Sequence, residues 1–372
     1  MAEHRIAPDA LHRWVVDLWL AAGSSEREAR LTADHLVAAN LSGHDSHGVG
    51  MVPRYVNSFL NDELQLNREI AVVTDGGGIV TVDGRRGMGQ SVTHQAMALA
   101  IERARQHGTC VLGLKNSHHL GRVGHWAEQA VAAGLVSVHF TNAVSNGAMV
   151  APHGGAQARF LTNPFTVGIP RASGEPLVLD FATSAIAHGK VRVAYNKRVP
   201  VPDGCLIDAQ GRPTNDPAVM FEPQEGEEGR LGALRTFAAH KGYALAMVCE
   251  VLGGALTGGE TAVPANFPPR HAIWNNMLAI VFDPARMGTG AHFEREVRDF
   301  VEWVESAPLA DGSEAILMPG DPERIARRER AAAVPIDAGT MAQLDESARL
   351  VEAAKGRSPG PLSALDLEAG GA

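Results

Sequence analysis

The chain has 372 residues, 45% of them hydrophobic and 20% charged, so it carries enough apolar material for a large core and lacks the composition of a disordered chain. Its 33 basic residues are outnumbered by 42 acidic ones, a net −9 without any Lys/Arg stripe, which argues against nucleic acid and for a small-molecule partner. Cys110, Cys205 and Cys249 have no CxxC spacing, the N-terminal stretch holds Glu3, Asp9 and Asp17 instead of a signal-peptide layout, and no apolar run spans a bilayer; a soluble cytoplasmic protein that meets no membrane is expected.

Residues 8–21 place Leu11, Val15, Leu18 and Trp19 on one helical face, and Gly23 supplies the stop. A second helix opens on the capping-box pattern Ser25-x-x-Glu28 and closes near Gly43. Gly43-His44-Asp45-Ser46-His47-Gly48 then reads as a polar loop. From about residue 70 the texture turns to short β-branched runs, 70–74 and 79–83, between Gly-rich turns. A helix over 91–107 ended by Gly108, a strand over 109–114, a loop over 116–121, a helix over 122–133 ended by Gly134 and a strand over 135–141 follow. Residues 176–181 form another strand, 203–229 a surface excursion rich in Gly, Pro and acids, and 243–256 a helix apolar on every face but Glu250, hence buried. After a strand over 277–282, helices are expected over 292–306, 322–333, with Pro322 at a first helical position, and 338–354, with a frayed tail from Gly356. The class is α/β: a central domain over 73–291 and a helical domain assembled from 1–72 and 292–372.

No GxGxxG follows a strand, and neither GxxxxGK[ST] nor HExxH occurs, so an ordinary Rossmann, P-loop or zincin reading fails. Histidine in polar loops stands out: His44 and His47 in one, His118 and His119 in another, then His125. Imidazole suits proton transfer near neutral pH, and a loop between strand and helix is a common place to present it, although a single loop histidine is more often a cap or hydrogen-bond partner. A metal-dependent hydrolase built on His44, His47, Asp45 and His118 is the rival, without the framework that accompanies zinc motifs; a catalytically silent dimeric binding protein is a second. Gly121-Arg122-Val123, at an expected helix start, offers backbone N–H groups and a guanidinium to a phosphate. Lys241, near the start of the 243–256 helix, places a cation where the helix dipole disfavours it, a cost that an anionic ligand or Asp180 would offset; it reads equally as a lysine reaching to water. Asp180 itself suits ribose hydroxyls or a turn cap, and Tyr55 and Arg54 suit a substrate or an ordinary helix surface.

Together, Gly43 to Gly48, Asn116-Ser117-His118-His119-Leu120-Gly121, Thr162-Asn163-Pro164, Asp180-Phe181-Ala182-Thr183-Ser184 and His240-Lys241-Gly242-Tyr243 resemble the malate/L-lactate dehydrogenase family, over about residues 8–350. Ala38-Ala39-Asn40-Leu41, Val199-Pro200-Val201-Pro202, Gly204 to Asp208 and Arg327 to Arg330 are similar to its hydroxycarboxylate dehydrogenases. The resemblance implies a non-Rossmann nicotinamide-binding domain, a homodimer with the cofactor near the subunit interface, and hydride transfer between NAD or NADP, NADH being favoured, and a small 2-hydroxy acid or its 2-oxo partner. By that resemblance His119 is the acid/base and Tyr55 a substrate-side residue; Arg54 and His118, their neighbours in the chain, are expected on the substrate side too, though not from the family pattern. His47, Gly121, Arg122, Val123, Val178, Leu179, Asp180, Phe181, Ala182, Lys241, Gly320, Asp321, Pro322 and Glu323 fall on cofactor-contacting stretches, and no metal is implied. The chain departs from the pattern at Met51, where many members carry an arginine for the substrate carboxylate, and at Ala143, where they carry serine. Met51 leaves Arg54 or Arg122 to hold the carboxylate and admits larger 2-oxo acids, including aromatic ones such as hydroxyphenylpyruvate.

Overall fold

The computed structural model describes residues 3–223 and 229–367, so part of the expected 203–229 excursion lies outside the described residues. Strand β1 (Glu3–Ile6) leads into α1 (Pro8–Ala22), whose apolar face buries Leu11, Val15, Leu18 and Trp19 as the periodicity predicts. Helix α2 (Glu26–Leu41) starts on Ser25, whose hydroxyl accepts the Glu28 N–H. The reciprocal half of the capping box is missing: the Glu28 carboxylate accepts from Ser24 Oγ and Asn67 N, and burial raises its pKa. The His loop tightens into short 3-10 turns and α3 (Val52–Leu60) follows.

Strands β2 (Ala71–Asp75) and β3 (Ile79–Asp83), helix α4 (Gly89–His107), strand β4 (Thr109–His118), helix α5 (Gly124–Ala132) and strand β5 (Val136–Ser145) make the predicted strand-helix-strand run. Its boundaries differ in one consequential place: β4 does not stop at 114 but runs through the polar residues to His118, because their backbone and side-chain groups find partners across the sheet. Strands β6 (Phe165–Ile169) and β7 (Leu177–Phe181), helix α6 (His188–Lys197), the small strands β8 (Leu206–Ile207), β9 (Pro213–Thr214) and β10 (Ala233–Leu234), and helix α7 (His240–Cys249) come next. Then follow β11 (Ile273–Phe282), α8 (Gly290–Glu305), α9 (Asp321–Glu329), β12 (Val334–Asp337) and α10 (Ala338–Lys355).

The large sheet has the order β2-β3-β4-β11-β5-β6-β7, parallel only between β3 and β4. Helices α4 and α5 cover one face through Met97, Ala100, Leu112, Trp126 and Met277. A second core joins α1, α2, α3 and α10, and β1 pairs antiparallel with β12, so the two ends of the described chain close on each other. Helix α8 stays outside it, burying only Val301 and leaving Phe300 and Trp303 exposed. Two expectations are corrected. The tail does not fray at Gly356: Trp14 Nε1 donates to the Gly360 carbonyl at 2.9 Å and Leu362 is buried. The 243–256 segment is not one buried helix: α7 passes into a π-helical turn, Glu250–Gly254, and Met247, Val248, Val251 and Leu256 remain exposed. Among the described residues no helix is long and apolar enough to cross a membrane.

Candidate active site

His119 follows the last residue of β4, at the edge where the sheet meets the helical core. Its backbone is held from several sides. Helix α4 begins with Gly89 pressed so closely on it that a Cβ there would collide with the His119 carbonyl. Asn275 of β11 accepts the next N–H, that of Leu120, at 2.9 Å, and the buried His35 of α2 accepts the Arg122 N–H at 2.9 Å. Gly121 has φ +73° and lies where any side chain would strike the His35 ring. Of these holders, Gly89, Gln90, Asn275 and His35 were invisible as site residues in the sequence, since each reaches His119 from a distant element.

On the side-chain side, the Tyr55 hydroxyl of α3 lies 2.6 Å from His119 Nδ1, and the Gln90 amide donates to the same hydroxyl at 3.2 Å. The His119 Nε2 has no hydrogen-bond partner among the described residues and is not one of the buried unpartnered atoms, so it opens to the cleft. His47 stacks over the ring with centroids 5.7 Å apart, its Nδ1 2.9 Å from Ser46 Oγ. Burial first, then the positive potential of His47, His118 and Arg54, holds the His119 imidazole well below its usual pKa; burial likewise brings His47 to about 4.

Two expectations about the substrate side change, those for Tyr55 and His118, while Arg54 keeps only part of its guanidinium uncommitted. Tyr55 has no exposed surface, so it stands behind His119 and not in the cleft. His118 is fully buried in the strand, edge-on to Tyr55, with neither ring nitrogen partnered and a pKa pushed by burial to about 3. It touches no cleft. Arg54 spends Nε and Nη2 on the carbonyls of His271 and Ala272, at 2.8 and 3.1 Å, and lines an open groove of about 820 Å³ between α3, α10 and residues 270–271.

The cofactor stretches do converge. Arg122, Val178, Asp180, Gly320 and Glu323 line one crevice of about 60 Å³, together with Glu128, Arg324 and Arg327, and the Val178 N–H donates to Pro319. Leu179 is part-exposed on the outer edge, Phe181 meets Phe165 and Phe237 edge to face, and Ala182 leads to Thr183, whose carbonyl accepts from Phe237 N in the turn before Lys241. Asp321 pairs with Arg324, Pro322 is the second residue of α9, and the Glu323 carboxylate sits 2.9 Å from His44 Nε2; burial pushes its pKa up, but the His44 hydrogen bond, its own backbone N–H and the charges of His44 and Arg122 together hold it below the usual carboxylate range.

Two electrostatic expectations are corrected. Helix α5 starts at Gly124, not at 122; the Gly124 N–H is taken by Asp180 at 2.8 Å, the Arg122 N–H by His35, and the buried Arg122 guanidinium by Glu128 at 2.5 Å. That helix start, buried against Val123, therefore presents a filled N-terminus to a phosphate. Lys241 does not pair with Asp180, whose other oxygen receives the Thr166 hydroxyl; among the described residues it forms no ion pair, and it sits exposed after Ala238 and Ala239, both at positive φ. The metal reading also loses its geometry: His44 faces Glu323, His47 faces Ser46, His118 is sealed away, and among the described residues no group of three ligating side chains converges.

Against known proteins, residues 6–345 match the family model of malate/L-lactate dehydrogenase. Hydroxycarboxylate dehydrogenase B of Escherichia coli K12 is 49% identical over 350 residues, 94% of each chain, and L-lactate dehydrogenase of Cupriavidus necator 40% identical over 87% of this chain and 90% of its own. The solved sulfolactate dehydrogenase of Methanocaldococcus jannaschii superposes with a TM-score of 0.82 at 30% identity, covering 93% of this chain and 97% of its own. None of these relatives is a hydrolase. The chain belongs to the malate/L-lactate dehydrogenase family of hydroxy-acid oxidoreductases.

Proposed function

We propose that this family member uses a nicotinamide cofactor to interconvert small 2-hydroxy acids and 2-oxo acids, with His119 as acid/base. The observation that carries this reading is the imidazole itself: anchored at Nδ1 by a buried tyrosine and open at Nε2 beside His47. At the oxygen of the substrate, Nε2 takes the hydroxyl proton in oxidation and returns a proton to the carbonyl in reduction. When bound, the nicotinamide accepts or supplies the hydride at the adjacent carbon.

The chain's residues fit such a cofactor at one end. The Asp180 and Glu323 carboxylates suit ribose hydroxyls, and Lys241 suits a phosphate. The crevice that Asp180 and Glu323 line, about 60 Å³, is far below the ~300 Å³ of an ordinary ligand pocket, so it would hold no more than one small group of such a cofactor. NADH is favoured over NADPH because the arginines that line the crevice are committed, Arg122 and Arg327 to Glu128 and Arg324 to Asp321. His47, Gly121 and Ala182 complete the contact surface.

Arg54, whose charge already bears on His119, is the proposed partner of the substrate carboxylate in place of the arginine absent at Met51, which packs partly against the helical core and carries no charge. A homodimer is proposed as well; the exposed apolar row Met247, Val248, Val251 and Leu256 suits a subunit interface. A cytoplasmic setting agrees with three free, buried cysteines.

The test is a spectrophotometric panel: oxidation of NADH and of NADPH with 2-oxo acids from pyruvate to hydroxyphenylpyruvate. Turnover with at least one, faster with NADH, is the expected result. No absorbance change with any acid, in a protein that elutes as a folded dimer, sinks the oxidoreductase reading.

A further inference from the structure

Gln90 lies at the second residue of α4, 1% exposed, with its amide nitrogen 3.4 Å from the His119 carbonyl oxygen and 3.2 Å from the Tyr55 hydroxyl. A carbonyl oxygen only accepts, so the amide must turn its NH2 group, not its oxygen, toward His119; the second hydrogen of the same nitrogen then falls on Tyr55. The close packing of Gly89 on the His119 backbone keeps these groups in register. Tyr55 has a single proton and no exposed surface on which to lose it to water. With Gln90 already donating to its oxygen, the remaining partner within 2.6 Å is His119 Nδ1.

We propose that Gln90 and Tyr55 form a positioning relay that holds neutral His119 as the tautomer protonated on Nε2, so that the resting site offers a donor to the carbonyl oxygen of a 2-oxo acid. The inference rests on the reading of His119 as the acid/base. Neither Gln90 nor Tyr55 touches the reacting atoms; they act through the ring. An Nδ1 that accepts a hydrogen bond must lose it before taking a proton, so the relay also keeps the imidazole weakly basic, alongside burial; of the titratable groups facing it, His47 from the loop before α3 and His118 from β4 are themselves kept neutral by burial, and Arg54 from α3 carries charge. A 2-oxo acid thus meets a hydrogen-bond donor at Nε2 in the resting site, whereas a 2-hydroxy acid meets no acceptor there; the Nε2 proton leaves for the reduced oxygen only once a second proton has entered the ring at Nδ1, so that the ring ends neutral and not as an imidazolate.

The experiment is 15N NMR of histidine-labelled protein without cofactor, the His119 signals being assigned by their loss in His119→Gln. In the wild type a pyridine-like Nδ1 and a pyrrole-like Nε2 are expected; the reverse pattern overturns the relay without any variant. In Gln90→Glu the new side chain accepts the Tyr55 proton, Nδ1 becomes the protonated nitrogen, and the pKa of His119 read from the same signals rises by ~1 unit or more. If Gln90→Glu is folded yet moves neither tautomer nor pKa, the relay is wrong. Should Gln90→Glu not fold, Tyr55→Phe replaces it, and a mixture of both tautomers is expected; a pure Nε2–H signal there overturns the proposal. Protein that shows the Nε2–H tautomer but reduces no 2-oxo acid would condemn the proposed activity and leave the relay standing.

Discussion

Two segments carry the charge-handling groups proposed above, and they are built in opposite ways. The His119 segment is over-determined: Gly89, Gln90, Asn275 and His35 bear on its backbone and Tyr55 on its ring, all from buried positions. The Lys241 segment is an exposed helix start behind two alanines at φ 44° and 52°, conformations that side chains disfavour. The contrast separates two jobs. A proton donor works only within a fraction of an ångström of its partner, whereas a cation holding an anionic group tolerates an exposed mount with few contacts.

The largest test of that division is His119→Ala, which should lower kcat by ~10²–10⁴ while cofactor affinity, followed by nucleotide fluorescence, stays near wild type. Residual activity close to wild type would remove His119 from the chemistry. Next in size is acid stability. Around the rigid segment, burial holds His118 and His139 near 3, and His47 and His125 near 4. Each of these histidines binds fewer protons folded than unfolded once the pH falls below the ordinary value near 6.5, so their contribution to stability is complete above that pH and is lost on acidification toward 3 to 4. The urea midpoint should therefore fall between about pH 6.5 and 4; a flat midpoint across that range would mean that these rings are not buried as described. On the other segment, Lys241→Met should raise the KM for the cofactor about tenfold and leave kcat nearly unchanged, the signature of lost binding without lost positioning. A fall in kcat of similar size would show that Lys241 is as tightly committed as His119. The smallest effect is Ala239→Gly, which should stabilise the protein by ~1 kcal/mol in urea unfolding by releasing backbone strain. Destabilisation would mean that the turn is not strained.

Local signals in the sequence were read well where partners are close along the chain. The Ser25 cap, the Gly23 and Gly108 stops and the alternation of α4, β4, α5 and β5 depend on neighbours a few residues away. The strand β4 was cut short for an instructive reason. Lys115, Asn116 and Ser117 look like a loop, and Asn116 even has φ 54°, but Asn276 accepts the Asn116 N–H from the adjacent β11, so polar residues continue a buried strand. The exposed face on the 243–256 segment was missed because an apolar helix carries no mark telling core from interface. Within the site, the family resemblance singled out His119 as the candidate and brought forward Arg122, Val178, Asp180, Gly320 and Glu323, which share one crevice, but it could not show that Tyr55 is buried behind His119, that Asp180 already fills the start of α5, or that Gln90 reaches both Tyr55 and the His119 carbonyl. Those facts depend on contacts between elements far apart in the chain.

The strand β11 lies between β4 and β5, yet it is the last strand of the large sheet to be synthesised. Until residues 273–282 leave the ribosome, β4 and β5 stand apart with unpaired inner edges and Leu120 lacks the Asn275 acceptor. A nascent chain that has already made His119 therefore still lacks one of the groups that hold its segment, and translation halted before β11 yields a product with two unpaired strand edges and an incompletely braced site. Formation of the site is tied to completion of the sheet.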